Sequence, residues 1–332
     1  MKRIGDLFDK CFTLENLYEA YLDTRKSKRS KRACFEFEKS LGANLQDLYK
    51  ELHNETYTPR PYYSFTIYEV KPRLIQAPAF RDTVVQHAIY RYIYQIFDNR
   101  FIDTSFACRK GRGTHACSKY THDTMKNSPT DSYNIHIDVR KFFYTIDRTI
   151  LQNLIKKVIK DEKVLRIMFL FMERDEPLGI PIGNLLSQLY ALIYLNPVDH
   201  YIKRTLKIKH YARYVDDLVL IGLSKDFAKS VANDIERFLL NNLNLNLSKC
   251  LITPMKKGIN FVGYRTWQYK RIVRKHSLFQ FTKQLHKEDC VRLTSLMAHA
   301  LNTNTLPHYC HKITNQKPHL IPQLPLHMRF SL

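Results

Sequence analysis

An α+β fold, with an antiparallel sheet backed by helices and several subdomains, is expected on three grounds. The chain has 332 residues and 44% hydrophobic content, enough for two or three packed subdomains and too apolar for global disorder. The stretch Arg213-Tyr214-Val215-Asp216-Asp217-Leu218-Val219-Leu220-Ile221 sets two acids between a β-prone head and a continuous apolar run. That is the pattern of a tight hairpin whose second strand is buried on both faces. Segments of helical spacing surround it: Val84, Val85, Ala88 and Tyr92; Leu189, Leu192, Ile193, Leu195 and Val198; Phe227, Val231, Ile235, Phe238 and Leu239.

Asp is a common turn former, so an Asp-Asp turn can be only a turn. Adjacent anions also repel, and a divalent cation would relieve them; oxygen ligands suit Mg²⁺ or Mn²⁺. A third carboxylate comes from Asn134-Ile135-His136-Ile137-Asp138-Val139, which alternates apolar and polar and ends on Asp138. Three acids on neighbouring strands could hold two metals about 3.5–4 Å apart, an arrangement that serves phosphoryl transfer.

Tyr214-Val215-Asp216-Asp217 resembles the Tyr-X-Asp-Asp box of reverse transcriptases, and Asp138 followed by Phe142-Phe143 resembles that family's first palm motif. The resemblance extends over most of residues 60 to 265. It implies a right-hand polymerase with fingers, palm and a helical thumb. The expected division is a basic helical extension over 1–60, fingers over 61–130, palm over 131–265 with a fingers insertion around 148–178, and thumb and tail over 266–332. It also implies catalysis by Asp138, Asp216 and Asp217, with two Mg²⁺ (Mn²⁺ as a substitute) held by these acids and Val139.

Lys plus Arg number 53 against 31 Asp plus Glu, a net charge of +22. This excess points to a polyanionic partner rather than a small-molecule substrate. No apolar stretch approaches the ~20 residues of a membrane span, and no apolar signal region follows Met1-Lys2-Arg3. Nucleic acid is therefore the expected partner, with no membrane. The seven cysteines form no C-x-x-C pair, so zinc is not expected, and their scatter fits reduced thiols in a cytoplasm.

Taken in order, Leu14, Leu17, Tyr18 and Tyr21 keep helical spacing. The run Arg25-Lys26-Ser27-Lys28-Arg29-Ser30-Lys31-Arg32 is either a solvated loop between helices or a phosphate-contacting RNA arm. Phe65 to Val70 reads as a strand of a fingers hairpin with Lys71 and Arg73 near its tip, and Arg81 opens the next helix. By the resemblance, basic fingers residues grip the incoming triphosphate. Arg73 is the first choice for that role, before Arg81 and Lys71; the latter two can also be plain surface charges. Arg109, Lys110 and Arg112 lie in a loop with Gly111 and Gly113, similar to a family element that runs along template and nucleotide. His115 there can be a buried helix-start residue and is not assigned to catalysis.

After Asp138, Phe143 matches the family position whose ring excludes a 2′-hydroxyl, while core packing suits Phe142 better. Asp147 reads as the N-cap of the following helix, outside the metal site. In Gly179-Ile180-Pro181-Ile182-Gly183-Asn184-Leu185-Leu186-Ser187-Gln188, the family's intron and retron members usually carry Pro-Gln-Gly-x-x-x-Ser-Pro. Ile182 and Gln188 instead resemble diversity-generating retroelement enzymes, although Leu186 departs from the expected Thr. Ile182, Gly183 and Gln188 are thus placed at the nascent base pair. Ile can only pack where Gln could hydrogen-bond, so reduced fidelity is expected; that errors fall at template adenines is implied by the family alone.

Leu243, Leu245 and Leu247 alternate like a short strand before Ser248 and Lys249. Lys249 is either solvated or, by the resemblance, close to the leaving pyrophosphate. Gly263 and Tyr264 resemble a primer-grip hairpin. Lys270, Arg271, Arg274, Lys275 and Lys283 form a basic thumb entrance, and the tail from Lys312, with three prolines, reads as irregular. The family implies as partners template RNA, a DNA or RNA primer, deoxynucleotides and a small basic helical accessory protein that is oligomeric. It also implies cytoplasmic residence, with a bacterial or phage gene. Group II intron-like or defence-associated reverse transcription, and a non-catalytic RNA-binding relic, are the alternatives.

Overall fold

The computed structural model describes residues 3–68 and 72–326; Lys71 lies outside the described residues. The chain divides into two compact units, each assembled from three stretches. Met1–Ile102, Val139–Tyr201 and Glu236–Asn246 form the first; Asp103–Asp138, Ile202–Ile235 and Leu247–Leu332 form the second.

The first unit is mainly helical. Helix Leu14–Arg25 starts on Thr13, whose hydroxyl accepts from Asn16 N–H at 3.0 Å, an N-cap that satisfies one orphan donor of the first turn. Its Leu17, Ala20 and Tyr21 are buried and pack along helix Phe80–Asp98, where Val84, Val85, Ala88, Ile89 and Ile93 have no exposed surface. Helix Leu41–His53 adds Leu45, Leu48 and Leu52. The basic run is an exposed loop from Lys26 to Lys31, with Arg25 paired to Glu38 at 2.9 Å and Lys26 to Asp23 at 2.7 Å. Asp147 caps helix Arg148–Lys156 as expected, accepting from Thr149 and Ile150.

Burial in this unit pushes His87 down to about 4. A histidine depressed in the fold contributes stability that is fully present above its unfolded value near 6.5, and that stability is lost as pH falls towards 4. Melting temperature should therefore fall between pH 7 and pH 4, and His87→Gln should flatten that slope by about one proton's worth. An unchanged slope in melts of the variant would remove His87 as the cause.

Strands β1 (Tyr63–Tyr68) and β2 (Pro72–Ala77) form an antiparallel ribbon, in register from Tyr63↔Ala77 to Tyr68↔Pro72. Every residue of β1 is exposed. At the ribbon's base, Gln76 N–H donates to the Ile182 carbonyl at 2.7 Å.

The second unit holds a four-stranded sheet of β3 (Tyr133–Val139), β4 (Tyr211–Tyr214), β5 (Asp217–Leu223) and β6 (Leu247–Pro254), ordered β4-β5-β3-β6. β5 runs antiparallel to both β4 and β3. Leu218, Val219 and Leu220 are fully buried, as a strand covered on both faces requires. The short strand expected over Leu243–Leu247 is not there. Helix Lys225–Leu243 runs on to Leu243 and ends with Asn244 at φ 50°, Asn244 N–H donating to Leu240 and Leu245 N–H to Leu239. This helix-closing turn buries Leu243 and Leu245 and so mimics alternation. β6 starts only at Leu247 and carries Ser248 and Lys249 within it.

A second sheet, β7 (Ile259–Phe261), β8 (Tyr264–Thr266) and β9 (Arg271–Val273), leads into helices Lys275–Lys287, Cys290–Ala300 and Leu306–Gln316. Phe281 and Tyr309 stack at 3.6 Å in the core of these helices, with Leu293, Met297 and Ile313. The irregular tail expected from Lys312 is corrected here. The chain stays helical to Gln316, turns through Pro318–Gln323, and buries Leu320 and Leu324 in the same core. Prolines that break periodicity also hold a tight turn in place. Arg271 is likewise no surface cation: it is buried and donates to Ser118 Oγ at 3.2 Å. No helix among the described residues is long and apolar enough to cross a membrane.

Candidate active site

The acids converge through strand register. Tyr214 pairs with Asp217 across the β4–β5 hairpin, so Val215 and Asp216 are its two turn residues. Asp217 opens β5 and faces Asp138 directly across to β3. All three carboxylates are half-buried. Like charges directly opposite on a sheet destabilise it, and here each has a compensating donor. Ser248 Oγ–H is shared between the Asp138 carboxylate and, at 3.2 Å, its carbonyl. His136 Nε2 meets Asp217 Oδ1, and Lys249 Nζ stands 3.0 Å from His136 Nδ1. His136 lies two residues before Asp138, so both side chains share a face with Asp217.

The turn is held under strain. Val215 sits at φ 56°, the left-handed region that a β-branched residue avoids; such positions cost about 1–3 kcal/mol and persist only where surroundings impose them. Arg213 is one source of that constraint. It is completely buried, and its guanidinium donates to the Val215 carbonyl at 2.9 Å. Its backbone is clamped as well, with Arg213 N–H donating to Thr104 and Phe106 N–H to Arg213, both at 2.9 Å.

The donor set fits a divalent cation of the Mg²⁺ type: carboxylate oxygens on adjacent strands, each with a hydrogen-bond donor or a strained turn behind it. Among the described residues no three His, Cys, Asp or Glu side chains hold a metal unaided. Mg²⁺ is usually bound by one or two carboxylates plus water and substrate phosphates, so the two observations agree. Val139, the last residue of β3, is buried.

The remaining candidates fall in different surroundings. In the second unit, Arg109 is buried and donates to Ser105 O at 3.0 Å, Lys110 is exposed, and Arg112 pairs with Asp103 at 2.9 Å. His115 begins helix Thr114–Lys126 and is exposed rather than buried, 3.3 Å from the Tyr264 hydroxyl. Tyr264 itself is buried, its hydroxyl donating to His299 O at 2.8 Å. Gly263 adopts φ 91°, and a Cβ there would lie 2.9 Å from His299 Nε2, so glycine is required by packing.

In the first unit, Phe142 is buried and Phe143 half-buried, which leaves Phe143 the ring with accessible surface. Ile182 is half-buried and Gln188 exposed. A Cβ on Gly183, at φ 108°, would meet Ile75 Cγ2 at 2.7 Å, so close packing against the ribbon explains the glycine. Arg73 is exposed near the ribbon tip. Arg81 forms ion pairs with Glu51 and Asp82 and lies over the Tyr57 ring. Four features escaped sequence reasoning. Gln86 accepts from Leu185 N–H at 3.0 Å, at the start of helix Leu185–His200. Ser248, His136 and Arg213 support the acids. Only their proximity to Lys249, Asp138 and Asp216 in sequence could have drawn notice to the last three.

Comparison with known structures gives first the class. Telomerase from Candida albicans, solved in complex with a fragment of telomeric RNA, is similar with a TM-score of 0.52 at 11% identity, over 81% of this chain and 56% of that one. The likeness is one of fold, that of the telomerase and reverse transcriptase polymerases. The family model "Reverse transcriptase (RNA-dependent DNA polymerase)" matches residues 68–266, and the chain belongs to that family. Protein YkfC of Escherichia coli is 24% identical over 292 residues, 72% of this chain and 74% of that protein. The group II intron-encoded protein LtrA of Lactococcus lactis is 23% identical over 297 residues, 66% of this chain. The chain spans 49% of the length of LtrA.

Proposed function

We propose that the chain is the error-prone RNA-dependent DNA polymerase of a diversity-generating retroelement. It would copy a template-repeat RNA into cDNA with adenine-directed errors. The observation that carries this reading is Ile182 and Gln188 in Pro181-Ile182-Gly183-Asn184-Leu185-Leu186-Ser187-Gln188. The primer 3′-hydroxyl attacks the α-phosphate of a deoxynucleotide, and pyrophosphate leaves. Asp138 and Asp216, supported by Asp217 and Val139, would hold two Mg²⁺, whose charge would stabilise the phosphoryl oxygens. Arg73 receives the triphosphate, Phe143 excludes a 2′-hydroxyl, and Lys249 stands by the pyrophosphate; Arg81 has a lesser part because Glu51 already engages it. Arg109, Lys110, Arg112, Gly263 and Tyr264 line the template and primer path.

The partners are template RNA, primer, deoxynucleotides and a small basic oligomeric helical protein, in the cytoplasm of a bacterium or of a phage-infected cell. Ile182→Gln tests the reading directly. A restored hydrogen bond to the incoming nucleotide should reduce misincorporation on an RNA template by up to about tenfold, the equivalent of ~1.4 kcal/mol of discrimination. Equal error rates in sequenced cDNA would remove the fidelity argument. The intron-like alternative is supported by the likeness to LtrA. A near-identical repeat pair in flanking DNA, differing at adenines of one copy, discriminates between them.

A further inference from the structure

Lys249 and Asp217 touch the same imidazole from opposite ends. Lys249 Nζ has only protons to offer, so at 3.0 Å the His136 Nδ1 must accept. The ring proton then sits on Nε2 and is donated to Asp217 Oδ1. The partners thus fix one tautomer and one ring orientation. The ring has little freedom to leave it. His136 is 8% exposed, and it meets the Phe261 ring edge-on with centroids 6.1 Å apart and an interplanar angle of 80°. On β3 it pairs with Val219, so it reaches Asp217 diagonally, over the pair formed by Asp138 and Asp217.

We propose that His136 is a positioning residue that sets two parts of the site at once. Through Nε2 it holds the Asp217 carboxylate in one orientation while Asp138 faces it. Through Nδ1 it holds the Lys249 ammonium on the same ring. The inference rests on the polymerase reading above and adds to it a mechanical link between metal-side and pyrophosphate-side residues. Such supporting hydrogen bonds orient ligands, and their loss commonly weakens metal binding 10- to 100-fold.

Three substitutions separate the two ends. In His136→Gln the side-chain amide reaches about as far as Nε2 and retains a donor for Asp217, but loses the acceptor for Lys249. In His136→Asn the carbonyl retains an acceptor near the Nδ1 position and the donor to Asp217 is lost. His136→Phe fills the space and keeps neither. Mn²⁺ binding, followed by its electron paramagnetic resonance signal without nucleotide, should weaken roughly tenfold in the Asn and Phe variants and stay near wild type in Gln. Single-nucleotide incorporation should slow by about tenfold in Gln and Phe at every metal concentration, whereas in Asn the slowing seen at low metal should diminish as Mg²⁺ is raised. Circular dichroism melts establish that each variant is folded; should Phe fail to fold, the Gln and Asn pair still carries the split. If the two assays fail to split, with Gln and Asn behaving alike, the inference is overturned. Loss of extension by the wild-type protein would instead overturn the polymerase reading, so the two failures are distinguishable.

Discussion

Asp216→Asn should give a folded protein that extends no primer. Asparagine keeps the size of the side chain and removes one anion from a turn that stands next to Asp217, which faces Asp138. Relief of that repulsion should leave the melting temperature unchanged or raised. The carboxylate that would hold the metal ions neutralising the phosphoryl oxygens is lost, and an effect of several kcal/mol there corresponds to a rate loss of at least about a thousandfold. Asp138→Asn should match it. Extension of an RNA-templated primer by both variants at more than a tenth of the wild-type rate would contradict the assignment. It would favour the relic reading, in which the acids are mere turn and strand-end residues.

The second large effect concerns stability. Arg213 has no exposed surface and is one of the largest fully buried side chains among the described residues. Arg213→Leu strands the Val215 carbonyl. An unsatisfied buried acceptor costs about 1–3 kcal/mol, and the packing lost with the long buried side chain adds to it. A melt should show a loss of many degrees, and primer extension should fall with it because Asp216 follows Val215. Arg213→Lys keeps the charge but not the planar fork, and should recover only part of the loss. A leucine variant that melts with the wild type would show that the turn is held by its strands alone.

The convergence of the acids in the candidate site was legible from local pattern. The acids could be found because a strand, a two-residue turn and a buried strand each leave a mark within a few positions of Asp138 and Asp216. Asp147 was legible as a cap for the same reason: its partners, Thr149 and Ile150, are its near neighbours. What could not be read is what register decides. Ser248 reaches Asp138 across 110 positions, and His136 reaches Asp217 across 81; nothing local marks either pair. The burial of cations could not be read for a different reason. Arg109 and Arg271 carry the same letter as surface arginines, and only the packing of Ser105 and Ser118 against them tells the difference. The tail misled because its prolines suppress the helical repeat, although Leu320 and Leu324 still reach the core.

The ribbon of β1 and β2 is anchored to position 182 by main chain, through Gln76 N–H and the Ile182 carbonyl. That bond is indifferent to the side chain carried there. Exchange of the side chain at 182 therefore leaves this attachment of the ribbon that carries Arg73 in place, so the two can vary independently.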